Sequence, residues 1–315
     1  REQWPEFRYD LPELQVPDQT NVVTALFDAA RANGWANRLL LRAPGETYTY
    51  AEAEAQVGRM AEMLIKDFKL EPGNRVLLRG GNSIGMALAW LAVVKAGLIV
   101  VPTMPLLRAV ELDKVIDKAQ PALALCEVAL LKDMVQAAQD AKGKLPVIAF
   151  GDPKRADGVE QRAARRSPDY PGCATAADDI ALLAFTSGTT GVPKAVVTTH
   201  RDILAACNAW PRHVLKMTPD DIVTGSPPLA FTFGTGGLLI YPMWAGASVY
   251  YPDVRFNPET MVRKMRDNGI TVCYTAPTFY RQMAPYAQAL GIPSLRIYVS
   301  AGEALPDATR QLWKQ

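Results

Sequence analysis

"MALAWLAVVKAGLIVV", Met86 to Val101, is the longest apolar stretch of the chain, and whether it spans a membrane or builds a core decides the fold. It falls short of the roughly 20 apolar residues that cross a bilayer, and Lys95 and Gly97 break it. Its surroundings complete the reading. "RVLLRG" before it reads as a strand, "NSIGMALAWLAVVKAG" as a buried helix closed by Gly97, and "LIVVPT" as the next strand. Working outward, "AVELDKVIDKA" has the spacing of an amphipathic helix, "ALALCE" that of a strand, "VALLKDMVQAAQDA" that of a helix, and "LPVIAFG" closes the series at Gly151. Short, nearly continuous apolar runs are the mark of strands buried on both faces. Strands alternating with helices predict a doubly wound α/β sheet.

From Asp152 to Ala177 the composition turns polar and rich in turn formers, which predicts a surface connection. The alternation then resumes through "DIVTG", "ASVYYP", "TVCYTA" and "LRIYVS", so two α/β subdomains are expected, over 1–170 and 171–315. Lys+Arg 34 against Asp+Glu 32 leaves a net charge of only +2, which gives no global field for nucleic acid or anionic membrane. The basic residues of 152–177 lack the aromatic interleaving of a nucleic-acid surface and read as a solvated loop. Cys126, Cys173, Cys207 and Cys273 form no CxxC pair, and with no secretory leader this predicts reduced thiols and a cytoplasmic protein. A start at Arg1 and an end inside the helical "PDATRQLWKQ" predict a piece of something longer.

The chemistry concentrates in "FTSGTTGVPK", Phe185 to Lys194, which follows the apolar run "IALLAF". Glycines allow positive φ, so successive N–H groups can turn toward one anion. Thr186, Ser187, Thr189 and Thr190 add neutral donors and Lys194 adds a full charge. Charge-assisted hydrogen bonds of about 1.5–3 kcal/mol each would let such a loop hold a polyphosphate. The alternative is a flexible surface turn. The Walker pattern fails because Pro193 stands where its glycine belongs and Ala195 follows the lysine. "AVVTT" also has the β-branched content of a strand, whereas a Walker loop opens a helix. "GGNSIG", Gly80 to Gly85, does not fit GxGxxG.

"FTSGTTGVPKAVVTTH" resembles the signature loop of the acyl-adenylate-forming superfamily, which includes acyl-CoA synthetases, peptide-synthetase adenylation domains and firefly luciferase. "TYTYAEAEAQVGRMAEML", "LEPGNRVLLRGGNSIGMALAWLAVVKAGLIVVPTMPLL", "SPPLAFTFGTGG", "TAPTFY" and "SAGEALP" are similar to further family segments in the right order, over most of Thr20 to Pro306. Ala195 departs from the usual glycine. The resemblance implies the large N-terminal domain of such an enzyme, two doubly wound α/β subdomains packed together with the C-terminal domain absent. It implies ATP with Mg2+, attack of a carboxylate on the α-phosphorus, and transfer of the acyl group to coenzyme A as co-substrate.

By the same resemblance, nucleotide contacts fall to Thr186, Ser187, Gly188, Thr189, Thr190, Gly191 and Lys194, and adenine lies against Gly302, Glu303 and Ala304. Catalytic roles fall to Lys194, Thr190 and His200, with Thr190 also at the metal and a structural hydrogen bond as the alternative for His200. Many family members carry histidine where this chain has Phe231, and the wording is similar to that of benzoate and 2-aminobenzoate CoA ligases. An aryl acid pocket is therefore expected from Phe231, Phe233, Gly234, Ala276, Tyr280, Ser300 and Ala301, with Gly236 beside it. Partners expected are a small aryl carboxylic acid and coenzyme A, without nucleic acid or membrane, and a homodimer is allowed. Three rivals stay open: a medium-chain or fatty acyl-CoA synthetase, a carrier-protein adenylation domain, and a noncatalytic nucleotide-binding fragment. Residues 1–315 alone are expected to adenylate very poorly.

Overall fold

In the computed structural model the described residues are 10–141, 144–186, 193–253 and 257–314. The stretch around Met86 is strand, helix and strand, as its pattern predicts. Ser83 caps the helix Ile84–Lys95 by accepting a hydrogen bond from the Met86 amide, and Gly97 leaves it with φ +75°. Every residue from Met86 to Lys95 is buried. Burial lowers the pKa of Lys95, and Glu54, 3.8 Å from its ammonium, offsets part of that effect, while the Phe27 ring centre lies 5.7 Å away. Among the described residues no helix is long and apolar enough to cross a membrane.

Twelve strands among the described residues form two six-stranded sheets. They are β1 Leu39–Ala43, β2 Glu46–Thr49, β3 Arg75–Arg79, β4 Ile99–Thr103, β5 Leu123–Glu127, β6 Val147–Phe150, β7 Ile180–Thr186, β8 Lys194–Thr199, β9 Ile222–Gly225, β10 Ser248–Tyr250, β11 Val272–Thr275 and β12 Ile297–Ser300. One sheet runs β6-β5-β3-β4-β7-β8 and the other β12-β11-β9-β10-β1-β2. Each is parallel except at one edge, where β7 with β8 and β1 with β2 make antiparallel hairpins. In both sheets the winding reverses, between β3 and β4 and between β9 and β10, which opens crevices at the carboxyl ends of the strands.

The sheets do not divide the chain at 170 as expected. β7 and β8 join the sheet of β3 to β6, while β1 and β2 from the first part join the sheet of β9 to β12. The reason is pairing register: Val100 of β4 pairs with Leu182, and Leu41 of β1 pairs with Val249, so each edge of one sequence half is closed by the other. Among the described residues the largest of three apolar clusters runs through both sheets, from Val22 and Trp90 to Tyr274 and Val299, and a smaller cluster packs against each sheet. The segment 152–177 is also more than a solvated connection, because the short helix Val159–Ala163 buries both terminal residues and Gly172, at φ +90°, lies against Thr24 and Lys95. All four cysteines are free.

Candidate functional site

The ends of the expected phosphate loop lie on β7 and β8. The antiparallel register places Thr186 opposite Lys194, and both side chains are exposed there. The β-branched content of 194–199 does form a strand, which separates this loop from the Walker type. Ser187, Gly188, Thr189, Thr190 and Gly191 lie outside the described residues. Past the hairpin, Thr199 and Asp202 form a capping box that starts the helix His200–Ala209.

His200 is a structural residue. It is buried, and its Nδ1 accepts a hydrogen bond from the Val22 amide at 3.1 Å, tying this helix to the start of Val22–Ala32. Burial lowers its pKa from 6.5 to about 4, the Asp179 charge offsetting part of the effect. With its pKa lowered in this way the imidazole stays neutral near pH 7, its Nδ1 occupied by the Val22 amide. His213 is exposed beside Glu13 at 3.3 Å.

Two prolines shape the other wall. Pro211 has no N–H to continue the helix from His200, and the chain widens into a π turn over Trp210–Val214, in which the Leu215 amide bonds the Trp210 carbonyl. Pro242 likewise cannot reach the Leu238 carbonyl, which accepts the Tyr251 hydroxyl instead, and Gly236–Ile240 is again a π turn. Wide turns of this kind recur at functional sites.

Between these turns and β12 lies a cavity of about 670 Å³, walled by Trp210, Phe233, Tyr241, Tyr274 and the run Ile297–Ala301. Among the described residues its lining contains no charged side chain. Phe233 leans on Tyr274, ring centres 5.7 Å apart, and the buried Tyr274 ring forms the floor. A smaller cavity of about 170 Å³ shares Thr232 and Tyr241 with it and reaches Thr198 of β8, so the hairpin and the aromatic cavity are neighbours.

The structure gathers Phe233, Ser300 and Ala301 of the expected aryl pocket and leaves the rest out. Phe231 precedes the helix Thr232–Thr235 and is 36% exposed. Gly234 does not make room for a ring: a Cβ there would lie 2.0 Å from the Pro228 carbonyl oxygen. The space beside Gly236 is filled by the Tyr241 ring and that beside Gly237 by the Tyr274 ring. Ala276 is the N-cap of the helix Pro277–Leu290. Tyr280, in the first turn of that helix, points to the opposite core, where its hydroxyl donates to the Cys273 carbonyl at 2.6 Å. Sequence reading missed Trp210, Tyr241 and Tyr274. The period of two in "VCYT" could have found Tyr274, since it puts Val272 and Tyr274 on one face of the strand and Cys273 on the other.

Beyond β12, Gly302 has φ +92°, and a Cβ at this position would meet nothing within 4 Å, so glycine is required for backbone conformation rather than for close approach within the chain. Glu303 accepts from the Thr278 amide at 3.1 Å and hydroxyl at 2.7 Å, serving an orphan N–H of the helix Pro277–Leu290. These two donors hold its carboxyl below the usual range. Gly302, Glu303 and Ala304 are all exposed, a surface along which a flat base can lie. Among the described residues no three His, Cys, Asp or Glu converge as a cation cage. A Mg2+ ion keeping waters and substrate phosphates as most of its ligands needs none.

The AMP-binding enzyme family matches residues 28–315. The chain is 26% identical over 310 residues to a benzoate–CoA ligase of Thauera aromatica, which covers 96% of this chain and 58% of that protein. It is 26% identical over 278 residues to an anthranilate–CoA ligase of Pseudomonas aeruginosa, covering 85% of this chain and 51% of that one. The crystal structure of the anthranilate CoA ligase AuaEII in complex with anthranoyl-AMP superposes with a TM-score of 0.89 at 25% identity, covering 96% of this chain and 59% of that chain. The chain thus spans somewhat more than half the length of these relatives. With two parallel-dominated sheets of the kind found in the N-terminal domain of adenylate-forming enzymes and a family match across nearly all its residues, the chain belongs to the AMP-binding enzymes.

Proposed function

We propose that this chain binds ATP and an aromatic carboxylic acid of the benzoate or 2-aminobenzoate type for conversion to an acyl adenylate, from which the acyl group passes to coenzyme A. The observation that carries the reading is the aromatic-walled cavity beside β12, whose described lining is uncharged and which shares Thr232 and Tyr241 with the smaller cavity that reaches Thr198 of β8. Its volume, about 670 Å³, lies within the ordinary range for small-ligand sites. Burying one aryl ring there contributes about 2–3 kcal/mol. With no carboxylate in the lining, the cavity offers no counter-charge to an amino acid's ammonium, which argues against an amino-acid-activating domain.

In the proposed first step a carboxylate oxygen forms a bond to the α-phosphorus as the bond to the bridging oxygen breaks and pyrophosphate leaves. One anion attacks another, so the chain's contribution is charge neutralisation and alignment. We assign the phosphate oxygens to Lys194 and Thr186; their pairing across β7 and β8 supports this assignment. Mg2+ would supply further neutralisation when bound. In the second step a thiolate attacks the acyl carbon and AMP leaves. Because the chain spans 58% of the benzoate–CoA ligase it matches, we further propose that these 315 residues bind both substrates but turn them over slowly.

The test is calorimetric titration with AMP present. Benzoate and 2-aminobenzoate are expected to bind and octanoate to compete poorly. Octanoate binding more tightly than either aryl acid would overturn the reading in favour of a fatty-acid site. Exchange of labelled pyrophosphate into ATP by the chain at rates ordinary for such ligases would overturn the proposal of slow turnover.

A further inference from the structure

The turn "GGNSIG" after β3 fits no nucleotide fingerprint, yet it ties the sheet of β3 to the segment that leaves β9 of the other sheet. Asn82 Nδ2 donates to the Pro227 carbonyl and Oδ1 accepts from the Leu229 amide, both at 2.8 Å. The residues on either side of the asparagine are fixed. The Gly81 amide donates to Glu127, at the end of β5, at 2.9 Å, and Ser83 caps the buried helix Ile84–Lys95.

Pro227 and Pro228 explain why the segment they occupy needs a side chain to hold it. Neither has an N–H to donate to a neighbouring strand, and β9 ends before them at Gly225. The backbone of 226–231 is instead tied bond by bond: the Ser226 amide to the Tyr274 carbonyl and the Phe231 amide to the Pro228 carbonyl, each at 3.0 Å, and the Leu229 carbonyl to the Thr235 hydroxyl at 2.6 Å. Asn82 supplies two more ties. Leu229 is buried, so removing the partner of its amide leaves an orphan N–H that only movement of the segment can satisfy. The segment runs directly into the helix Thr232–Thr235, which carries Thr232 and Phe233 into the wall of the aromatic cavity. Asn82 is not in that wall. Resting on the aryl-acid reading above, we propose that Asn82 is a positioning residue for the aryl site: by locking 226–231 it sets the Phe233 ring against Tyr274. A planar amide suits the task because one group offers both the donor and the acceptor.

The experiment is calorimetric titration of the chain by AMP alone and, with AMP present, by benzoate and 2-aminobenzoate, for the wild type, Asn82→Ala, Phe233→Ala and the double variant. Asn82→Ala is expected to weaken the better-binding aryl acid roughly tenfold, through loss of a preorganised wall, and to change AMP affinity less than about twofold. In the Phe233→Ala background the same substitution is expected to change aryl-acid affinity less than about twofold, because the ring through which it acts is gone. Asn82→Asp, which keeps the acceptor for Leu229 and loses the donor to Pro227, is expected to show the same selective loss and takes the place of Asn82→Ala in the cycle if that variant does not fold. Aryl-acid affinity unchanged by the Asn82 substitution, AMP affinity falling by the same factor, or an equal loss in both backgrounds overturns this inference alone. Failure of the wild type to bind either aryl acid overturns the aryl-acid reading and this inference with it.

Discussion

Lowering the pH should destabilise this protein through His200 before it affects any chemistry. The imidazole is neutral in the folded protein and its Nδ1 is an acceptor for the Val22 amide. Protonation would turn that acceptor into a second donor aimed at an N–H. Its pKa falls from 6.5 to about 4 on folding. The unfolded chain therefore binds the proton more readily, so stability is fully present above pH 6.5 and is lost as the pH falls through 4. At about 1.4 kcal/mol per pH unit, the loss across that window is about 3 kcal/mol. The assay is urea unfolding at pH 7.5 and pH 4, comparing the wild type with His200→Asn, whose side-chain oxygen can accept from Val22 but does not titrate. The difference between the two proteins should change by about 3 kcal/mol between the two pH values. An unchanged difference would refute the reasoning, as would an acid-activation rate whose pH profile follows His200.

Other outcomes follow from the same contacts. Gly234→Ala puts a methyl group against the backbone of Pro228, which cannot swing away, and should lower stability by about 2 kcal/mol or more in urea unfolding; wild-type stability would contradict the packing role. Lys194→Ala should weaken ATP binding by roughly tenfold to a hundredfold in a calorimetric titration, while an exposed side chain at the hairpin mouth leaves the melting temperature near that of the wild type. Asp221 is buried, and although burial alone would raise its pKa, Arg296, the Thr271 hydroxyl and the Thr218 amide hold it below the usual range. Its contribution is therefore present at neutral pH and lost as the pH falls through that depressed value. Asp221→Asn should cost about 2 kcal/mol at pH 7 and less in acid, read by thermal unfolding across the pH series.

The alternation of strands and helices was legible because each run carries its own period and punctuation. Gly97 and Gly151 end elements where they were expected, both at positive φ, and the adjacent β-branched pair Val196 and Val197 announces β8. Sheet membership was not legible. Nothing local to Leu39–Ala43 says that it will pair with β10 more than two hundred residues later, because long-range pairing depends on which edges the rest of the chain leaves free.

The site divided in the same way. Motif resemblance put Phe233, Ser300 and Ala301 in an aryl pocket, and all three line one cavity; Thr186 and Lys194, read as ends of a phosphate loop, pair across β7 and β8. Trp210 carries no local signal of a site, and only the fold brings it, at the start of the π turn Trp210–Val214, to the cavity wall. Gly234 and Gly236 read as open space, yet their missing side chains make room for Pro228 and Tyr241. Tyr280 was assigned to the pocket through the resemblance of "TAPTFY", but the first turn of the helix from Pro277 carries its hydroxyl to the Cys273 carbonyl in another core cluster.

The most direct test is a crystal structure of the chain with a non-hydrolysable benzoyl-adenylate analogue. The account predicts the ring between Phe233, Tyr274 and β12, the base along Gly302 to Ala304, and the phosphate directed toward Thr186 and Lys194. A ring seated outside that cavity, or a phosphate turned away from the hairpin, would contradict it.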